Sequence, residues 1–332
     1  MTHQIPTTRR NLLSAALASG VLAPVLLASG GIALSSAAAQ AAADPVFAKT
    51  VKINGLDIFY REAGPADAPV ILLLHGFPSS SHMFRNLIPE LAKTHRVIAP
   101  DYPGFGNSAA PALAEFPYTF AAMADIVDAF TVAVGATDYV IYMQDFGGPV
   151  GFRLAVKHPE RVRGIIIQNA VANVEGWNPD VVAQFGPFWQ GRNAETETPI
   201  RAFLKPETTQ FQYTHGAARA ERLSPDAWVY DQAKLDRPGN DVLQLEMLWN
   251  YQDNVAQYPA WQTYLAANQP PMLIVWGKND PFFTQAGVDY FKAQVPAAEV
   301  HLFDAGHFAL ETHLDEIAEA TLAFVDGLPK AK

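Results

Sequence analysis

Tyr139-Val-Ile-Tyr-Met-Gln-Asp145-Phe146-Gly147-Gly148-Pro149-Val-Gly-Phe-Arg-Leu-Ala155 changes character twice along its length. Its first residues are β-branched or aromatic and uncharged, which reads as a buried strand. A tight turn of small residues follows at Asp145-Phe-Gly-Gly, and Pro149 to Ala155 continues as an apolar helix pattern. Strand, sharp turn and helix form the setting of a nucleophile elbow, in which one reactive side chain is lifted above the end of a sheet. The usual centre of that turn is Ser in Gly-x-Ser-x-Gly. Here it is Asp145, with Gln144 before it and Gly147 two residues on.

The flanking sequence repeats the rhythm. Ala68 to Leu74 is a continuous apolar run, expected of a strand covered on both faces, and it ends in His75-Gly76-Phe77-Pro78. An amphipathic helix is expected from Ser80-Ser81 through Leu91, then a strand from His95 to Asp101 closing in Tyr102-Pro-Gly-Phe-Gly106. Helices are expected from Thr119 to about Val134 and from the elbow to about Val156, and a strand over Val162–Gln168. Upstream, Val51 to Glu62 carries Asn54-Gly55 between two β-like runs, a hairpin signal. Strands alternating with helices of this length predict an α/β fold with a doubly wound, mostly parallel sheet.

From about Val171 to Ala267 the alternation stops. The chain there is rich in Trp, Tyr, Gln, Asn and Pro and reads as helices and loops. The rhythm resumes with a strand and turn over Pro271–Asp280, a helix from Thr284 to Ala293, a strand at Glu299–Phe303 leading to His307, and a helix from Thr312 to Val325. The expected organisation is a core over 44–170 and 268–332 with a helical lid over 171–267 inserted in it.

Residues 1–43 differ from the rest. Thr7-Thr8-Arg9-Arg10-Asn11-Leu12-Leu13 leads into an apolar run to Leu34 and then to Ala39-Gln40-Ala41, a small-x-small cleavage site. This resembles a twin-arginine export signal, so cleavage, export to the periplasm or beyond, and no stable membrane association afterwards are expected. The formal charge of −10 and the lack of a basic block argue against nucleic acid. The chain has no cysteine, which excludes disulfides, thiolate metal sites and thiol catalysis.

Ligands of open α/β sheets gather at the carboxyl ends of the strands. Phe77, Asp145, Asp280 and His307 are all expected there, the last three in the order nucleophile, acid, base. On these motifs the chain resembles the α/β-hydrolase fold family, in its epoxide hydrolase and haloalkane dehalogenase branch, which uses Asp at the elbow, a His-Gly-x-Pro turn and a variable lid. The resemblance implies Asp145 as nucleophile, His307 as base, Asp280 as its orienting acid, and the backbone N–H groups of Phe77 and Phe146 as an oxyanion hole. A carboxylate needs no deprotonation at neutral pH. It can displace a leaving group from an sp3 carbon to give an alkyl ester, which water activated by His307 would then cleave. Asp304 competes with Asp280 for the acid position, and Asn169 stands where this branch has its alternative acid. His75 reads as structural within its turn. His82, His95 and His215 fall on separate elements, so no metal is expected.

The leaving group remains open on the residues. Epoxide opening creates an alkoxide that needs a proton donor, whereas halide needs N–H donors around it. Trp249-Asn-Tyr251-Gln resembles the stretch that carries a lid tyrosine in epoxide hydrolases, but Phe188-Trp189-Gln190 occupies the place of the other. Trp189 could serve a halide. Phe146 replaces the Trp that follows the nucleophile in many dehalogenases. Tyr251 and Trp189 are the lid candidates, with epoxide hydrolysis as the expected activity and haloalkane dehalogenation as the alternative. An esterase or lactonase, or a non-catalytic binding protein, is the remote alternative. The expected partners are a small apolar electrophile and water, with no cofactor.

Overall fold

The computed structural model describes residues 45–329. The expected export signal lies outside the described residues. A two-residue turn at Asn54 (φ 50°) and Gly55 (φ 85°) joins β1 (Phe47–Ile53) to β2 (Leu56–Ala63). Positive φ at both positions is what a two-residue hairpin requires, and Asn-Gly adopts it at little cost. The remaining strands are β3 (Val70–Leu74), β4 (Arg96–Pro100), β5 (Tyr139–Gln144), β6 (Val162–Gln168), β7 (Met272–Gly277) and β8 (Glu299–Phe303). They form one sheet in the order β1-β2-β4-β3-β5-β6-β7-β8. β2 runs antiparallel to both its neighbours, and every pairing from β4 to β8 is parallel.

The helices are α1 (Leu87–Leu91), α2 (Phe120–Ala133), α3 (Gly147–Lys157), α4 (Pro179–Gln190), α5 (Ala194–Arg201), α6 (Pro206–Thr214), α7 (Pro225–Leu235), α8 (Asn240–Asn250), α9 (Gln252–Asn268), α10 (Gln285–Gln294) and α11 (Leu314–Asp326). Alternate strand residues feed two cores. Leu72, Leu74, Ile141, Met143, Ile165 and Ile167 pack with α2, α3 and α10, while Ile71, Leu73, Val140, Tyr142 and Ile166 pack with α1 and α11. A period of two sends neighbouring side chains to opposite faces. With both faces covered, a continuous apolar strand is the stable choice, and β5 is buried at every residue.

One expected helix is broken. Ser81–Phe84 form a 3-10 turn, and only Leu87–Leu91 are α-helical. The backbone N–H groups at the start are drawn elsewhere: Ser81 donates to Asp101 Oδ1 at 2.8 Å, and His82 to the Ser80 hydroxyl at 3.3 Å. Between β6 and β7 the chain builds α4 to α9. Residues of this helical section and of the strand-end turns line a common cavity.

Candidate active site

β5 ends by turning at Asp145, whose φ of 49° lies in the left-handed region. For a residue with a Cβ that conformation costs about 1–2 kcal/mol. It turns the Asp145 side chain out of the sheet while the backbone doubles into α3. The turn is tight because its neighbours are glycines. A Cβ on Gly147 would lie 2.1 Å from the Leu74 carbonyl oxygen, and one on Gly76 would lie 2.3 Å from both Asp145 Cβ and Gln144 Oε1. Gly148 N–H closes the turn on the Asp145 carbonyl at 2.9 Å.

The Asp145 carboxylate meets two backbone donors. Phe77 N–H reaches Oδ1 at 2.6 Å, and the Phe146 N–H lies close enough to favour the charged carboxylate. Burial pushes its pKa up to about 6, against the opposing pull of His307 and of these two donors, and Asp280 adds to the rise. The carboxyl is therefore weakly solvated, yet ionised at neutral pH.

His307 Nδ1 lies 2.8 Å from Asp280 Oδ2. Asp280 is fixed from all sides: Oδ1 accepts Phe282 N–H at 2.7 Å and Phe283 N–H at 3.3 Å, and Oδ2 also accepts Asn169 Nδ2–H at 2.8 Å. Asn169 Oδ1 in turn accepts Gly277 N–H at 2.9 Å. Asp304, the rival for this position, is half exposed and bonds to Asn279 and Lys278 instead. Burial works against a charge on His307, but Asp280, with a smaller share from Asp145, holds its pKa above the ordinary imidazole value. The Nε2 of His307 faces the side-chain nitrogen of Gln144 at 2.8 Å. His75 sits apart from this group. It stacks on Tyr102 with ring centroids 4.1 Å apart and accepts Tyr102 N–H at Nε2, and burial pulls its pKa down to about 3.

Over Asp145 lies a cavity of about 40 Å³ whose walls include Phe77, Phe146, Trp177, Trp189, Gln212, Tyr251 and His307. None of the lining residues is Lys or Arg. Arg153, further along α3, bonds to the Pro149 carbonyl and Asn254 Oδ1. The wall is mostly aromatic, with a few polar atoms among the rings. The donors above Asp145 differ in availability. The Trp189 indole N–H is spent on the Leu248 carbonyl at 2.9 Å, and that of Trp177 on the Tyr258 hydroxyl at 2.9 Å. Gln212 Nε2 is buried and has no hydrogen-bond partner among the described residues, and the buried Tyr251 hydroxyl faces that of Tyr258. Burial raises the Tyr251 pKa well above the usual phenol value, with Tyr258 and Asp145 adding to it.

The structure thus brings Asp145, His307, Asp280, Phe77 and Phe146 to one place, with Tyr251 and Trp189 on the cavity wall. Trp177, Gln212 and Tyr258 also belong to the site and are not singled out by the sequence, while Gln144 and Asn169, named there by position, gain their contacts only in the structure. Their types were visible, but their contacts join segments far apart in the chain, as in Asn169 with Asp280. Among the described residues no group of three or more His, Asp or Glu side chains could hold a metal ion.

A family model described as alpha/beta hydrolase fold matches residues 69–314, and the chain belongs to that family. An uncharacterised hydrolase of Saccharomyces cerevisiae is 38 % identical over 273 residues, 81 % of this chain and 93 % of the relative. A haloalkane dehalogenase of Bradyrhizobium diazoefficiens is 27 % identical over 295 residues, 83 % of this chain and 93 % of the relative. Among solved structures, the haloalkane dehalogenase DbeA of Bradyrhizobium elkani superposes with a TM-score of 0.68 at 23 % identity, covering 85 % of this chain and 98 % of that one. The likeness in structure is one of fold. Together these place the protein among hydrolases of the α/β fold, with relatives of the dehalogenase and epoxide hydrolase branch.

Proposed function

We propose that the protein is an epoxide hydrolase that works through an ester on Asp145. A carboxylate oxygen of Asp145 attacks an epoxide carbon, the C–O bond breaks, and the ring oxygen takes a proton from the Tyr251 hydroxyl. Water then loses a proton to His307 Nε2 as its oxygen bonds to the Asp145 carbonyl carbon. The oxyanion formed is held by the Phe77 and Phe146 N–H groups, one of which is worth about 3 kcal/mol at such a site. Collapse returns the carboxylate and releases the diol, and the proton on His307 restores the Tyr251 phenol. Asp280 keeps the imidazole oriented and stabilises its charge.

The observation that carries this reading is the state of the donors above Asp145. Tyr251 presents a phenol to the cavity beside the nucleophile, and the one hydroxyl it faces, that of Tyr258, already accepts the Trp177 indole N–H. A phenol can give up a proton to an alkoxide. An amide such as Gln212 can hold an oxygen or an anion but has no proton to transfer at ordinary pH. The Gln212 amide favours a second reading, halide release, which needs only N–H donors and agrees with the names of several relatives.

A panel of styrene oxide, a bromoalkane and a p-nitrophenyl ester with wild type and Asp145→Ala separates these. Diol formation that disappears in the variant supports the proposal, bromide release without diol supports the second reading, and ester cleavage that survives in Asp145→Ala defeats both. One turnover with excess enzyme in oxygen-18 water must deliver an unlabelled oxygen, taken from Asp145. Label in that first product would refute the ester.

A further inference from the structure

Gln144, the last residue of β5, is fully buried at the hinge of the site. Its side-chain nitrogen lies 2.8 Å from His307 Nε2, and its Oε1 has no hydrogen-bond partner among the described residues. A neutral imidazole has one N–H and one lone pair. With Nδ1 donating to Asp280, the lone pair is on Nε2, so the Gln144 amide must be the donor. The charged groups that face His307 are Asp280 from the turn after β7 and Asp145 from the turn after β5. The rings of Phe282, Phe283 and Phe308 close the rest of its surroundings.

A buried amide oxygen without a partner keeps its full desolvation cost. Such an atom calls for an explanation, and the chemistry of its neighbour supplies one. In the hydrolytic step His307 must change from acceptor to donor at Nε2. A primary amide carries a donor and an acceptor on one planar group and stays uncharged through that change. No carboxylate or apolar side chain can serve both states.

We propose that Gln144 is a positioning residue for the hydrolysis of the enzyme ester: its N–H holds neutral His307 with Nδ1 protonated, and its Oε1 receives the Nε2–H once His307 has taken a proton from water. This rests on His307 being the base, as in the proposed function. The exchange requires a half-turn of the amide about its terminal bond, or an equivalent small shift that brings Oε1 to Nε2. Water reaches the Asp145 ester as the amide releases the lone pair. The proton moves from water to Nε2 and later returns to the Tyr251 phenolate, so Gln144 itself gains and loses none. Gly76 is part of the device, because a Cβ there would lie 2.3 Å from Oε1 and crowd it out of its place.

The test reads the decay of the preformed Asp145 ester by mass spectrometry across pH, in wild type, Gln144→Glu and Gln144→Met. A carboxylate at 144 can only accept, so it would keep His307 protonated. The acid limb of ester decay in Gln144→Glu is expected to move up by about 1–3 pH units, the usual effect of an adjacent opposite charge. Gln144→Met is expected to slow decay roughly tenfold or more without moving the limb. Decay profiles that coincide with wild type in both variants would overturn the proposal. A second measurement needs no variant. In the wild-type protein the side-chain amide resonances of Gln144 are expected to shift with the same midpoint as the His307 ring nitrogens in a nitrogen-15 titration. Amide resonances that stay fixed while His307 titrates would refute the role. Wild type that forms no ester with any member of the panel would refute the proposed reaction instead, and the titration would still decide the contact.

Discussion

The burial of Asp145 makes its ionisation a burden on the fold, and Asp145→Asn measures it. The carboxyl titrates near 6 in the folded protein against a reference of 3.8. At about 1.4 kcal/mol per pH unit, a rise of about two units corresponds to about 3 kcal/mol. Between the two values the folded state binds more protons than the unfolded one, so this group lowers stability as pH rises from the unfolded pKa to the folded pKa. The full loss is present above about pH 6. Asn is nearly isosteric, still accepts Phe77 N–H at Oδ1, and carries no charge to desolvate. Urea denaturation of both proteins is expected to give similar stabilities near pH 4 and an Asn variant more stable by up to about 3 kcal/mol near pH 8. The gain is smaller to the extent that charge-assisted bonds from Phe77 and Phe146 weaken with the neutral acceptor. A difference that does not change with pH, or a variant less stable than wild type at pH 8, would refute the account of a desolvated carboxylate.

The same pKa sets an activity limb: formation of the enzyme ester is expected to fall about tenfold per unit below pH 6 because only ionised Asp145 attacks, as pre-steady-state kinetics would show. His307→Gln is expected to stall after the first step, so that incubation with an epoxide adds the whole mass of the substrate to the peptide bearing Asp145; an unmodified peptide would count against the ester. Tyr251→Phe removes a buried hydroxyl whose neighbour, Tyr258, keeps its bond to Trp177, so thermal stability should change little while epoxide opening drops by a factor of about 10²–10⁴. Asn169→Ala leaves Gly277 N–H and one side of Asp280 unpaired and should cost about 2–4 kcal/mol in denaturant unfolding, with slower ester decay.

What could be read from the sequence was local. The strand of uncharged β-branched residues, the Asp-Phe-Gly-Gly turn and the helix after it stand together in the chain, and β6 and β8 fall on Val162–Gln168 and Glu299–Phe303 as expected. The strand-end positions of Asp145, Asp280 and His307 follow from that alternation. What depended on packing between distant segments was not legible. Gln144 and His307 are 163 residues apart, and nothing in either local pattern signals their contact. Trp189 shows the same limit in the other direction. Its indole N–H was a natural partner for an anion, but Leu248 stands in the last turn of α8, where carbonyl groups have no partner within the helix. The indole supplies one, and only the crossing of α4 over α8 reveals it.

The two steps of the proposed reaction draw on different parts of the chain. Asp145, His307, Asp280 and the N–H groups of Phe77 and Phe146 all stand on turns at the carboxyl ends of strands, where parallel pairing fixes their spacing. They serve the ester and its hydrolysis, which is the same whatever group has left. Tyr251, Gln212, Trp177 and Trp189 come from the helical section between β6 and β7 and line the cavity over Asp145, on the side where the proposed reaction puts the departing group. A relative that shares the sheet and its turns therefore shares the means of cleaving an ester, without sharing a substrate. Replacing one donor among the helices can change the leaving group while every strand-end residue keeps its place. For that reason the phenol of Tyr251 bears more heavily on the choice between epoxide and halide than does the overall likeness to dehalogenases.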